Sequence, residues 1–237
     1  MFYTKIKRIQ QRIAVADKNA LDQRRDFIDL LQSTKLPNNS QAISVSVGDG
    51  IWDYWVAQHK PEVKKIIATD IVDCPVDKRD IKLLRGRLDW QFKKVKPEQK
   101  LPFPTATFDL AFHCDVIEHV RKPYLFLDEQ YRVLKKGGYL LLNTPNLLRP
   151  VNLIKLLMGK LFFPINLGES DKLADCTHIQ EFTIWGLTNM LEEVGFKIVS
   201  QKFSFFGIYP FNIRLSKESN TLTKQCLSHS LTILARK

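Results

Sequence analysis

Val45-Ser46-Val47-Gly48-Asp49-Gly50-Ile51-Trp52 is the stretch on which the fold turns. The β-branched run from Ala42 to Val47 reads as a buried strand, and two glycines one residue apart end it. Glycine lets the chain reverse tightly and lets a ligand press against bare backbone. Ile51 to Gln58 then reads as a helix, whose unpaired N-terminal N–H groups face whatever the turn holds. Strand, glycine turn and helix in that order open a parallel α/β unit.

Upstream, residues 5 to 32 repeat apolar side chains at helical spacing: Ile6, Ile9 and Ile13, then Phe27, Leu30 and Leu31. Pro37-Asn38-Asn39-Ser40 closes that section as a loop. Downstream, Val63 to Thr69 reads as a second strand ending in Asp70, and Ile81 to Leu88 fits either a helix end or a third strand. Phe108 to Cys114 is a fourth strand, and Tyr124 to Leu134 a helix stopped by Lys135-Lys136-Gly137-Gly138. Tyr139 to Asn143 is a fifth strand. Thr183 to Val194 forms a helix closed by Gly195, and Phe196 to Ser200 and Leu231 to Ala235 add two more strands. The alternation predicts one doubly wound, Rossmann-like α/β domain over residues 1–237. It carries an N-terminal helical segment over 1–40 and an insertion over 145–180.

The 44% hydrophobic content supports a sizeable core and excludes wholesale disorder. Charges in Met1-Phe2-Tyr3-Thr4-Lys5-Ile6-Lys7-Arg8 stand where a signal peptide needs an apolar run, and Leu153 to Phe163 is too short to span a bilayer. A soluble, cytoplasmic protein is the expectation. The cysteines, Cys74, Cys114, Cys176 and Cys226, are scattered, with no paired spacing for zinc or a disulfide framework, so no metal is expected. The net charge of +11 attracts anionic partners, but the basic residues are dispersed and lack the aromatic interleaving of a nucleic-acid platform.

Open α/β sheets bind ligands beyond the carboxyl ends of their strands, where the strand order reverses. Asp70, at the tip of the second strand, puts a carboxylate where it can accept both hydroxyls of a ribose.

Two later segments sharpen this. Leu101-Pro102-Phe103-Pro104 leads through Phe108-Asp109-Leu110-Ala111-Phe112 into Cys114-Asp115-Val116-Ile117-Glu118-His119-Val120, and Leu134-Lys135-Lys136-Gly137-Gly138 follows. This order resembles the class I S-adenosylmethionine-dependent methyltransferase superfamily, in particular the group acting on small molecules, quinones and sugars. The resemblance runs from about Ile43 to Lys237. It implies a seven-stranded sheet with an antiparallel last strand, S-adenosylmethionine as cofactor, and methyl transfer to a small-molecule oxygen or nitrogen. It places Gly48, Asp49 and Gly50 beside the methionine moiety and Asp70 with Ile71 at the ribose. Asp89 would accept from the adenine amino group with Trp90 flanking the base, and Cys114 and Asp115 would lie near the sulfonium. Two positions depart from the family pattern. Ser46 stands where an acid is usual, leaving Asp49 or Asp53 to replace it, and bulky Trp52 stands where a third glycine is usual.

An oxygen or nitrogen acceptor often needs a base, and histidine titrates near neutrality. His119 follows the fourth strand and is a candidate base or acceptor-positioning group. His178, in Thr177-His178-Ile179-Gln180-Glu181-Phe182-Thr183, resembles an element that closes the acceptor side in many relatives. His59, His113 and His229 read as scaffold. The insertion holds the nearly all-apolar run Val151 to Phe163, which suits core packing, a lid over an apolar or lipid-linked acceptor, or shallow membrane contact.

Rival functions are weaker. Amino-methylating nucleic-acid enzymes place a Pro-Pro-aromatic motif where Cys114-Asp115-Val116 stands. A nicotinamide fingerprint would need glycine at Asp53. A non-catalytic binding or assembly module with this fold stays open through Ser46 and Trp52.

Overall fold

The computed structural model describes residues 18–160, 178–208, 213–214 and 227–237. Helix α1 (Lys18–Ser33) leads into β1 (Ser40–Val45), α2 (Ile51–His59), β2 (Val63–Asp70), α3 (Lys78–Arg85) and β3 (Asp89–Lys94). Then come β4 (Phe108–Cys114), a single 3₁₀ turn (Ile117–His119), α4 (Pro123–Val133), β5 (Leu134–Pro145) and α5 (Pro150–Leu157). The chain finishes with α6 (Ile184–Val194), β6 (Lys197–Ile208), β7 (Ile213–Arg214) and β8 (Ser228–Arg236).

These strands form one sheet in the order β3-β2-β1-β4-β5-β8-β6-β7. Strands β1 to β5 run parallel, and β8 is antiparallel to both its neighbours, β5 and β6. The seven-stranded sheet with an antiparallel last strand is therefore present, with the two-residue β7 appended to β6.

Alternation along each strand builds two cores. Ala42, Leu110, Phe112, Leu141 and Leu234 face Phe27, Leu30 and Leu31 of α1, Ile51 and Val56 of α2, and Leu84 of α3. Their neighbours Ile43, Ala111, Leu140, Leu142 and Ile233 face Leu127 of α4 and Ile184, Leu187 and Leu191 of α6. Adjacent residues thus serve opposite faces, as the two-residue period of a strand demands. Helix ends follow local chemistry. The Asp77 carboxylate accepts from Arg79 N–H at 2.8 Å to start α3, Thr183 accepts from Gly186 N–H at 3.0 Å to start α6, and Gly195 ends α6 at φ 111°.

Two open readings are settled and one expectation changes. The third strand is Asp89–Lys94, and Ile81 belongs to the helix before it. Strand β5 begins at Leu134, well before Tyr139, because the Gly137-Gly138 pair forms an irregularity within the β4–β5 pairing. In the 145–180 insertion, α5 buries Asn152 but leaves Ile154, Leu156, Leu157 and Met158 exposed, so these side chains do not pack into the core. Ile6, Ile9, Ile13, Cys176 and Cys226 lie outside the described residues. Among the described residues, no helix is long and apolar enough to cross a membrane.

Candidate active site

The strand order reverses between β1 and β4, and a cavity of about 620 Å³ opens at the carboxyl ends of these strands. That volume lies within the range of small-molecule and cofactor sites. Four loops supply most of its wall: Ser46 to Asp49 after β1, Asp70 to Val72 after β2, Val95 to Gln99 after β3, and Asp115 to Arg121 after β4.

The β1 turn is shaped by left-handed backbone at Ser46 (φ 60°), Gly48 (φ 54°) and Gly50 (φ 82°). A Cβ on Gly48 would meet nothing within 4 Å, so its backbone lies open to a guest. Gly50 serves differently from the expectation: a Cβ there would stand 3.2 Å from Val76 Cγ1, and it underlies the turn without lining the cavity. Asp49 lines the cavity and accepts from Ile51 N–H at 3.2 Å.

Asp70 is nearly buried, and its carboxylate accepts from Gly48 N–H at 3.2 Å and Ile71 N–H at 2.8 Å. These bonds tie the second strand tip to the glycine turn. A carboxylate offers about four lone-pair sites, so the same group can also take hydroxyl donors from the cavity. Ile71 lines the cavity beside it.

Asp115, at φ 55°, lines the cavity where β4 ends. Its N–H donates to Asn143 O at 2.9 Å, and its carboxylate accepts from Gln23 Nε2 at 3.2 and 3.3 Å. Gln23 also donates to the Asn143 side chain. Helix α1 thereby reaches over the end of β4, a role that periodicity alone does not reveal.

Three expected cofactor residues are corrected. Asp89 opens β3 opposite Lys65 of β2, whereas Asp70 at the tip of β2 faces Lys94. It therefore lies at the wrong end of the strand for a ligand beyond the carboxyl ends, and its exposed carboxylate engages Gln91 and Lys65. Trp90 is 1% exposed in the core and donates from its indole to Asp53 at 2.6 Å. Cys114 packs into the core below the cavity, where burial pushes its thiol far above the ordinary range. The segment missed in their place is Val95 to Gln99, directly after β3. The alternation of Trp90 and Phe92 was the signal that a strand preceded it.

Neither departure from the family pattern blocks the cavity. Trp52 turns to α1 and packs on Phe27 with ring centroids 4.8 Å apart. Ser46 and Asp49 both line the wall, while Asp53 is buried, bonded to Trp90 and absent from it. Although the chain is strongly basic, the wall carries Asp49, Asp70, Glu98, Asp115 and Glu129 against Lys96 and Arg121. The cavity therefore favours a cationic guest.

At the other side of the β4 loop, the Glu118 carbonyl accepts from Ile179 N–H at 3.0 Å and Gln180 N–H at 3.3 Å. These bonds dock the irregular segment carrying His178 against the 3₁₀ turn carrying His119, and the two rings stand 5.1 Å apart. His119 lines the cavity. His178 Nδ1 lies 2.6 Å from Glu181 Oε1, and Glu181 is also bound by Arg149 and by Asn152 Nδ2 at 2.7 Å. Burial alone would raise the Glu181 carboxyl, but His178, Arg149 and Asn152 outweigh it and hold it below the ordinary range. Glu118 is fully buried and accepts from Thr144 Oγ1 at 2.9 Å; burial, reinforced by the Asp115 charge, pushes it up to about 8. His113 remains scaffold: it is buried in β4 against Phe126, and burial lowers it to about 3.

Residues 18–201 match the family model described as a methyltransferase domain. A protein of Mycolicibacterium smegmatis named as a probable S-adenosylmethionine-dependent methyltransferase is 32% identical over 108 residues, which is 46% of this chain and 36% of that protein. The match thus spans about a third of that relative's length. Among solved structures, an S-adenosylmethionine-dependent methyltransferase from Aquifex aeolicus aligns with TM-score 0.59 and 17% identity, over 97% of this chain and 98% of that one. The [4+2]-cyclase SpnF aligns with TM-score 0.61 and 16% identity, over 90% of this chain and 81% of that one. At these identities the structures speak to fold alone, and the second is named for a chemistry other than methyl transfer.

Proposed function

The chain belongs to the methyltransferase-domain family, whose cofactor is S-adenosylmethionine, and from that premise we propose that it methylates an oxygen or nitrogen of an apolar small-molecule acceptor. The observation that carries this reading is the acidic cavity at the β1/β4 switch point, with Asp70 bound to Gly48 at one side and His119 beside His178 at the other.

The residues present fit the cofactor. Gly48 offers uncovered backbone, Asp70 offers acceptors for a ribose diol, and Asp49 and Asp115 suit an ammonium or sulfonium. The loop Val95 to Gln99 takes over the base-facing place expected of Asp89 and Trp90. Bound there, S-adenosylmethionine supplies a methyl group on a positively charged sulfur. The protein's part is to hold the acceptor in line with that group and keep water away. His119 lines the cavity and accepts the acceptor's proton, and His178, steadied by Glu181, closes that side.

The apolar character of the acceptor rests on α5. Arg149, which precedes this helix, and Asn152 within it both bind Glu181, so α5 is tethered to the acceptor side. Its exposed Ile154, Leu156, Leu157 and Met158 suit a greasy or lipid-linked acceptor, or contact with a membrane surface that presents one.

Calorimetric titration with S-adenosylhomocysteine, using Asp70→Ala as control, followed by labelled-methyl transfer to a panel of apolar hydroxy and amino acceptors, tests the proposal. Saturable binding lost in the variant, with label moving to an acceptor, is expected. Binding without transfer would instead favour a non-catalytic module. No binding would remove the cofactor reading.

A further inference from the structure

We propose that Glu118, His119 and His178 form a site for one divalent first-row transition-metal ion of the manganese, iron or zinc type. Each residue can present one ligand atom, and these atoms all lie within 4.8 Å of one another. Donors around such an ion at about 2.1 Å stand roughly 3–3.5 Å apart, so small side-chain rotations would complete the set. Two imidazoles with one carboxylate are a donor set that these borderline metals favour, and one that magnesium and calcium do not.

The surroundings point the same way. Glu118 is 0% exposed, and its Oε1 has no hydrogen-bond partner among the described residues while Oε2 is held by Thr144. An unpaired buried carboxylate oxygen is costly, and a cation beside it removes that cost. His178 donates from Nδ1 to Glu181, which leaves the Nε2 lone pair for a metal. A carboxylate behind a ligating imidazole is the usual second layer of a metal site, fixing both tautomer and ring direction. Glu181 is itself held by Arg149 and Asn152, so the imidazole is braced from behind.

The backbone bonds from Ile179 and Gln180 to Glu118 already bring the His178 segment against the other two residues. The site is thus assembled by the fold before any ion arrives. With an ion bound, His119 would serve as its ligand instead of as the base, and the ion beside the cavity wall would polarise an acceptor oxygen or nitrogen and ease loss of its proton, a role that rests on the methyl-transfer reading, whereas metal binding itself does not. A proton on Glu118 is the rival explanation for the unpartnered oxygen.

The deciding experiment is titration of the chelator-treated full chain with Co²⁺, followed by visible absorption and by counting bound metal. Glu118→Gln and His178→Ala serve as variants, with thermal melts and S-adenosylhomocysteine calorimetry on the same samples. Glu118→Gln keeps the side chain's size, and His178→Ala changes a half-exposed residue, so at least one should fold. The proposal expects one Co²⁺ per chain, at least about tenfold weaker binding in each folded variant, and cofactor-product affinity within about twofold of wild type. Substoichiometric Co²⁺ in the wild type, or variants that bind as tightly as wild type, would overturn it. If S-adenosylhomocysteine still binds in that case, only the metal site fails. If Co²⁺ binds and S-adenosylhomocysteine does not, the methyl-transfer reading fails and the metal site stands.

Discussion

The imidazole rings of His119 and His178 meet edge to face with centroids 5.1 Å apart, although one follows β4 and the other precedes α6. Their meeting is enforced by backbone bonds from Ile179 and Gln180 to Glu118. Side chains brought together this way can act on one guest while remaining separate from the cofactor end.

Substituting either histidine should therefore separate binding from turnover. His119→Ala is expected to lower kcat about a hundredfold or more, with S-adenosylhomocysteine affinity within about twofold of wild type. His178→Ala should act in the same direction and raise the acceptor KM. Steady-state kinetics beside calorimetry would check both, and unchanged kcat in the two variants would remove the histidines from the reaction.

The two turn glycines should respond differently to alanine. Both have positive φ, so each substitution carries a strain of about 1–2 kcal/mol. Gly50→Ala adds a close contact with Val76 and should be the more destabilising in urea unfolding. Gly48→Ala has open space and should instead weaken cofactor-product binding. Equal loss of affinity in both would contradict this division of roles.

Trp90→Phe should destabilise the fold by about 1–3 kcal/mol, because the buried Asp53 carboxyl loses the indole donor and keeps Ser44. Cofactor-product affinity should stay within about twofold, since the indole lies in the core. A large affinity loss in a folded variant would return Trp90 to the binding site.

Asp53 makes stability depend on pH. Burial raises its carboxyl from 3.8 to about 7 in the folded protein. The folded state thus holds the proton more tightly than the unfolded chain. The resulting stabilisation is complete below about pH 4 and is lost as pH rises through 7. Asp53→Asn should flatten that portion of the profile, as read by denaturant titration across this window. A wild-type profile of equal slope would rule the group out.

Arg149→Met should cost about 3 kcal/mol, because it strips a buried partner from Glu181. The Glu181 side chain is only 2% exposed and keeps Asn152 and His178 as partners. Urea denaturation measures the loss, and a neutral substitution would show that those two partners suffice.

Much of this architecture could be read from residue order. The runs at Ala42 and Phe108 are largely apolar because these strands are covered on both faces, so their strand character survives without tertiary information. Asp70 and the glycine turn were legible because a strand tip and the turn beside it are local features. Strand β3 was not, because it lies at the sheet edge, where Asp89, Gln91, Lys93 and Lys94 are exposed and only Trp90 and Phe92 carry the pattern. With Ile81 to Leu88 open between helix end and strand, the resemblance alone put Asp89 and Trp90 at the adenine, and the segment beyond the true strand end, Val95 to Gln99, went unread.

Residue order therefore carried the fold class and three of the loops that line the cavity, those after β1, β2 and β4, since these depend on periodicity and on residues near one another along the chain. Only the tertiary structure decided that Trp52 packs on Phe27 and leaves the cavity clear. It alone brought Gln23 to Asp115, and His178 with Glu181 to Glu118 and His119. These meetings depend on how helices and loops close over the sheet, which short-range spacing does not encode.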